Sequence, residues 1–222
     1  MVFRLDDNDM WFPNPMLYPP DEDDSAFCVG GKLTPEWLVL AYSNGIFPWY
    51  AFQWHEEPIW YCPMNRFVIF PSEIHISHSM HTLMNKEEYS VSFDQCFDDV
   101  INHCSKLRID SEGAWLGEDM VKAYTHLHEL GFAMSVEAWR NDELIGGLYG
   151  VTLGHCFFGE SMFSLQPNGS KLALIALANA ISQYDNSIID CQFETPHLKS
   201  MGGRHIPYKQ YMDILHKSIN NS

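Results

Sequence analysis

Glu160 stands in a run of apolar and small residues, Phe157-Phe158-Gly159-Glu160-Ser161-Met162-Phe163. An unpaired carboxylate is costly to bury, so an acid in such a run needs a partner or a task. Further along, Asp190 and Gln192 flank Cys191 at the end of a second apolar run, Ile188-Ile189. On an extended strand, residues 190 and 192 project to one face. A carboxylate and an amide are therefore expected to approach one cleft together. Such a set can orient an incoming amine and take up its proton. The same spacing also suits a buried polar network with no catalytic role.

Other chemistries find less support. Gly159-Glu160-Ser161 lacks the second glycine of a nucleophile elbow. Cys191 has no histidine set beside it by sequence. His75, His78 and His81 are spaced by three, which matches no standard ligand pattern, so no metal is expected. Six cysteines, at 28, 62, 96, 104, 156 and 191, form no Cys-x-x-Cys pair. They read as buried, reduced thiols of a cytoplasmic protein. The first 25 residues hold no continuous apolar core of a signal peptide, and no run is apolar enough to span a bilayer.

Charge narrows the class. With 13 basic against 29 acidic residues, a net of −16, a broad basic face for nucleic acid is not expected. The excess acid suits a cationic partner, or solubility alone. Aromatic density is high at Ile46-Phe47-Pro48-Trp49-Tyr50 and Pro58-Ile59-Trp60-Tyr61-Cys62-Pro63. It fits either a small domain held by ring packing or a surface on which a base stacks.

The elements that must position these residues follow from punctuation and period. Thr34-Pro35-Glu36 predicts a helix start, with Trp37, Leu38, Ala41 and Tyr42 on its apolar face. Strands are expected at 58–63, 67–70 and 89–93. Helices are expected at 77–84, from Asp94 to about 104, and at 118–130, where Gly131 is the stop. Residues 132–164 read as an antiparallel meander with a hairpin turn at 140–143. A helix at 169–183, a strand at 188–192 and a helix at 207–219 complete the chain. This order predicts an α+β fold with one mixed sheet of about six strands and helices on its faces.

At these residues the chain resembles the leucyl/phenylalanyl-tRNA–protein transferase family. The resemblance runs through Gly45-Ile46-Phe47-Pro48-Trp49, Ile74-His75-Ile76-Ser77, Ala123-Tyr124, and Leu127-His128-Glu129-Leu130-Gly131. It continues in Asp142-Glu143-Leu144-Ile145-Gly146-Gly147, Phe158-Gly159-Glu160-Ser161-Met162-Phe163-Ser164, Ser170-Lys171 and Ile189-Asp190-Cys191-Gln192. It implies a small N-terminal domain over 1–64 and a GNAT-like C-terminal domain over 65–222, with a mixed, mainly antiparallel sheet flanked by helices. It implies transfer of Leu, Phe or Met from aminoacyl-tRNA to the N-terminal Arg or Lys of a protein, marking it for degradation, without a cofactor. By motif, Glu160, Asp190 and Gln192 are implied at the reaction centre, and Trp49 and Trp115 at the terminal adenosine of the tRNA. Tyr124 is implied in substrate binding, and Leu148, Met162 and Leu177 in the apolar side-chain pocket. The segment Ser77-His78-Ser79-Met80-His81-Thr82-Leu83-Met84 departs from the family's basic helix, with Lys86 its first cation. Two other readings stay open: a paralogue with another donor or a small-molecule acceptor, and a non-catalytic module that binds N-terminal Arg or Lys.

Overall fold

Thr34 is extended and hands over to Pro35, whose fixed φ and missing N–H suit the first helical position. The computed structural model describes residues 2–21, 25–49, 57–112 and 117–220, without side chains at 108–112. Its N-terminal domain holds β1 (Phe3–Leu5), β2 (Ala26–Gly30), α1 (Pro35–Ser43), β3 (Phe47–Pro48) and β4 (Ile59–Tyr61). These strands form a sheet in the order β1-β2-β4-β3, with β1 and β2 parallel. Trp37 and Trp60 stack at 6.4 Å, and Phe12 meets both edge-on.

The C-terminal domain runs β5 (Asn65–Ile69), α2 (His78–Met84), β6 (Tyr89–Phe93), α3 (Phe97–Glu112), α4 (Glu118–Glu129), β7 (Ala133–Arg140), β8 (Glu143–Leu153) and β9 (Cys156–Ser164). It closes with α5 (Gly169–Ile181), β10 (Ile188–Asp190), α6 (Pro196–Ser200), β11 (Arg204–Pro207) and α7 (Tyr208–Asn220). The sheet order is β11-β5-β10-β9-β8-β7-β6. Neighbours are antiparallel except β9 and β10, which are parallel and joined through α5. The architecture is a mixed α+β one with helices on the sheet.

Each sheet face has its own core. Leu172, Leu174 and Ile175 of α5 pack on Val136, Ile145, Leu148, Phe157 and Ile189. The opposite face joins α3, α4 and α7 to Tyr149, Phe158 and Phe163. That second cluster is continuous with Phe27, Trp37, Tyr42, Phe47 and Trp60, so the two domains share it. Burying such apolar surface is worth about 25 cal/mol per Å².

Several expectations change. Among the described residues the large sheet has seven strands, and a second sheet of four stands beside it. The strand Arg204–Pro207 escaped sequence reading because it is a polar edge strand with little alternation. The third helix starts at Phe97, not Asp94, because Asp94 takes a left-handed φ of 58° and turns the chain first. The strand expected over 188–192 ends at Asp190.

Candidate active site

β10 pairs with β9 only as far as Asp190 opposite Phe158, while β9 runs on to Ser164. A gap opens beside β9 beyond that point. Within it, β9 carries a bulge against β8: Tyr149 faces Ser161 and Gly150 faces Gly159, so Glu160 is the extra residue. A bulge re-aims a side chain and reverses the alternation that follows. Phe157 and Met162 accordingly reach the same face although their numbers differ in parity. Gly150 permits this crossing: a Cβ there would lie 2.1 Å from the Phe158 carbonyl oxygen.

The aimed Glu160 is buried and fully engaged. The Tyr42 hydroxyl of α1 lies 2.6 Å from Oε1, and the Tyr124 hydroxyl of α4 lies 2.7 Å from Oε2. The Gln192 side-chain amide donates to Oε1 at 2.8 Å. Burial pushes the carboxyl up from 4.5 to about 7; hydrogen bonds from Tyr42, Tyr124 and Gln192 to the ionised form work against that rise, and the Asp190 charge adds to it. Near neutral pH it can therefore both give and take a proton.

Asp190 sits behind, in a second buried cluster. Arg66 of β5 donates to it through Nε and Nη2, at 2.8–3.0 Å. The Tyr211 hydroxyl of α7 donates to Oδ2 at 2.8 Å, and the Gln192 backbone N–H to Oδ1 at 2.9 Å. Arg66 is held between the Phe47 and Tyr211 rings, 4.7 and 4.9 Å from their centres. Burial works against the guanidinium charge, and Asp190 outweighs it, so Arg66 stays charged. Asp190 thereby fixes Gln192, whose φ of 63° turns the chain out of the strand and swings its amide to Glu160.

A cavity of about 560 Å³ opens in front of Glu160 and Gln192. Leu148, Phe157, Met162, Leu174 and Ile189 give it an apolar wall, and Trp49, Phe193 and Glu194 stand along it with them. Trp49 and Phe193 are tilted rings 5.0 Å apart. Ser161 Oγ is buried with no hydrogen-bond partner among the described residues. Cys191 also lines the cavity, but burial and then Asp190 raise its thiol well above the usual range, so it is no thiolate nucleophile. Among the described residues no group of acids, histidines and cysteines is placed to hold a metal. The arrangement can seat an apolar side chain and present a polar group to one carboxyl that gives or takes a proton and one amide that can only hydrogen-bond.

The family models decide the kinship. The model described as leucyl/phenylalanyl-tRNA protein transferase matches residues 68–216, and that of its N-terminal domain matches 31–64. The chain belongs to the leucyl/phenylalanyl-tRNA–protein transferase family. A family member of Desulforapulum autotrophicum is 47% identical over 220 residues, 98% of this chain and 93% of its own. One of Syntrophus aciditrophicus is 47% identical over 209 residues, covering 92% and 86%. One of Hydrogenovibrio crunogenus is 43% identical over 208 residues, covering 90% and 80%.

Within this member of the family, Glu160, Gln192, Trp49, Leu148 and Met162 meet at the cavity. Asp190 is one layer behind, reached through Gln192. Residues 190 and 192 do not share a strand face, because the strand has ended. Tyr124 is buried behind Glu160, outside the cavity wall. Leu177 is buried in the α5 core, and Leu174, one turn earlier, lines the cavity instead. Trp115 lies outside the described residues. Sequence reasoning missed Tyr42, Arg66 and Tyr211. Arg66 carried a signal: it opens the apolar run 67–70, and a cation so placed needs an anion, as Glu160 needed donors.

Proposed function

We propose that this enzyme is an aminoacyltransferase that moves Leu or Phe from aminoacyl-tRNA to the N-terminal residue of a protein, with Met as a further donor and Arg or Lys as the acceptor residue. The observation that carries the reading is the apolar cavity ending at Glu160 and Gln192 in a chain of this family. Leu148, Phe157, Met162, Leu174 and Ile189 take the donor side chain. The ester then lies at Glu160 and Gln192, and Trp49 packs on the terminal adenosine, with Trp115 its partner by motif. The domain boundary falls at 64–65, and the C-terminal domain is GNAT-like.

An ester becomes an amide, so the reaction runs downhill without another energy source. Attack by the acceptor amine forms the C–N bond and releases the 3′ oxygen, which takes a proton as the nitrogen loses one. Positioning of the two reactants is worth about 7–11 kcal/mol. Gln192 orients the ester and the amine, and Glu160 exchanges the proton. Asp190 acts through Gln192 and not as the base, since Arg66, Tyr211 and the Gln192 N–H occupy its oxygens. Glu194 along the cavity is held by Lys199 at 2.8 Å and His205 at 3.0 Å, so a cationic acceptor would use it only by displacing them. An apolar pocket separates side chains differing by one methylene by only about 1–3 kcal/mol, so a mixed Leu and Phe donor set fits it.

Six cysteines kept as thiols support a reducing, cytoplasmic compartment, and no helix among the described residues is long and apolar enough to cross a membrane. The acceptor reading is tested with leucyl-tRNA and peptides beginning with Arg, Lys, Ala or Glu. Arg and Lys peptides are expected to be extended and the others spared. Equal use of all four would overturn it.

A further inference from the structure

Three oxygens meet in the buried cluster behind the cavity. The Tyr42 and Tyr124 hydroxyls lie 2.6 Å apart, and each is within 2.7 Å of a different oxygen of Glu160. That makes three contacts of hydrogen-bond length. Each such contact needs a hydrogen along it, because two oxygens that approach lone pair to lone pair repel. Two phenols and a carboxylate hold only two hydrogens between them. If both phenols donate to an ionised Glu160, the Tyr42–Tyr124 contact has none. A donor elsewhere cannot mend this; the nearby Tyr149 ring, packed on Tyr124 at 5.6 Å, has no hydrogen to place between those two oxygens. A protonated Glu160 closes the count. It donates to one phenol, that phenol to the other, and the second back to the carboxyl.

We propose that Tyr42, Tyr124 and Glu160 form a closed ring of three hydrogens in which Glu160 is a carboxylic acid in the free protein, and that this acid supplies the proton taken by the leaving 3′ oxygen. The second half rests on the aminoacyl-transfer reading above; the first half does not. Glu160 is the member of the ring that lines the cavity, so exchange with substrate passes through it. The step balances. The amine nitrogen bonds the carbonyl carbon, the C–O3′ bond breaks with its electron pair on oxygen, and Glu160 gives that oxygen its proton. The new amide nitrogen then returns one proton to Glu160, and the ring is restored. Tyr42 and Tyr124 are positioning residues, since they touch Glu160 and not the cavity.

The surroundings favour the neutral acid. Tyr42 comes from α1, Tyr124 from α4 and Tyr149 from β8, all uncharged. From the β10 end the facing groups are Gln192, which donates to Oε1, and Asp190, whose charge is paired with Arg66 and which also takes the Tyr211 hydroxyl. Two readings of the tyrosines then differ in sign. If they merely donate to a carboxylate, removing one makes the anion harder to hold and raises the titration of Glu160. If they close a ring around the acid, removing one breaks one bond of the acid and the Tyr42–Tyr124 bond that exists only in the closed ring, and the titration falls.

The test is infrared difference spectroscopy of the ligand-free full-length protein against Glu160→Gln across pH. The ring predicts a buried carboxylic-acid C=O band at pH 6 that Glu160→Gln lacks and that titrates near 7. In Tyr42→Phe the midpoint is expected to fall by about one pH unit, the worth of one buried hydrogen bond. Tyr124→Phe should fall in the same direction, which covers the case in which one variant folds poorly. A midpoint that rises in either folded variant, or no acid band at pH 6, overturns the ring. The pH profile of single-turnover leucine transfer should shift with the infrared midpoint. An intact ring with no transfer by the wild-type protein would refute the transferase reading and the acid's role in it while leaving the ring standing.

Discussion

Removing the Arg66 guanidinium should be the most damaging single change to the scaffold of the site. In Arg66→Met, Asp190 keeps the Tyr211 hydroxyl and the Gln192 N–H but loses the cation it is paired with, at a site closed to solvent. Breaking one side of a fully buried ion pair costs about 3–5 kcal/mol. That is a large part of a typical total of roughly 5–15 kcal/mol. At about 2–4 °C per kcal/mol for a chain of this size, the melting point should drop by roughly 6–20 °C. Most of the loss comes from the stranded charge and not from the absent bond. Arg66→Met combined with Asp190→Asn should therefore recover at least half of it, because the amide oxygen still accepts from Gln192 and carries no charge. Urea unfolding of the wild type, both singles and the double closes the cycle. A loss below about 1 kcal/mol in Arg66→Met, or a double no more stable than that single, would refute the buried-pair account.

Other consequences follow from the same geometry. Glu160 binds its proton more tightly folded than unfolded, so its contribution to stability is full below 4.5 and is lost as pH rises through about 7. At about 1.4 kcal/mol per pH unit this is worth about 3 kcal/mol, and Glu160→Gln should flatten the stability curve across that window; an unchanged slope by urea unfolding would deny the shift. Gly150→Ala sets a Cβ on the Phe158 carbonyl and should cost about 1–3 kcal/mol or more, with loss of transfer as the bulge that aims Glu160 moves; wild-type stability and activity would contradict the bulge. Leu174→Ala should cost about 2–5 kcal/mol and lower kcat/KM for leucine more than for phenylalanine, since the larger ring refills the space; an unchanged ratio in paired kinetic runs would remove Leu174 from the donor pocket.

Much of the site was legible in the chain because buried charge is rare. Glu160 announced itself as an acid among aromatics, and Asp190 as an acid ending an apolar strand. Their roles were not legible. Whether Asp190 meets substrate or Arg66 depends on which strand neighbours β10, and β5 lies over a hundred residues away in sequence. Gln192 was placed with Asp190 by strand alternation; its positive φ, which no residue type there signals, sends it elsewhere. Tyr42 read as part of an apolar helix face and Tyr124 was implied in substrate binding, yet both hydroxyls meet Glu160 from behind, aimed by packing between α1 and α4. The longer helices and the meander followed period and capping, while β2 and α6 went unread and β1, β3 and β11 are too short or too polar to leave a pattern.

The central claim is tested most directly by transfer of radiolabelled leucine from leucyl-tRNA to a protein with N-terminal Arg, run with the wild-type enzyme at low and at physiological salt. The account predicts label on the acceptor at both, with a shallow salt dependence, because recognition is centred on the aminoacyl-adenosine end and helix α2 offers no lysine or arginine between His78 and Met84. No transfer at either salt from a folded sample would contradict it.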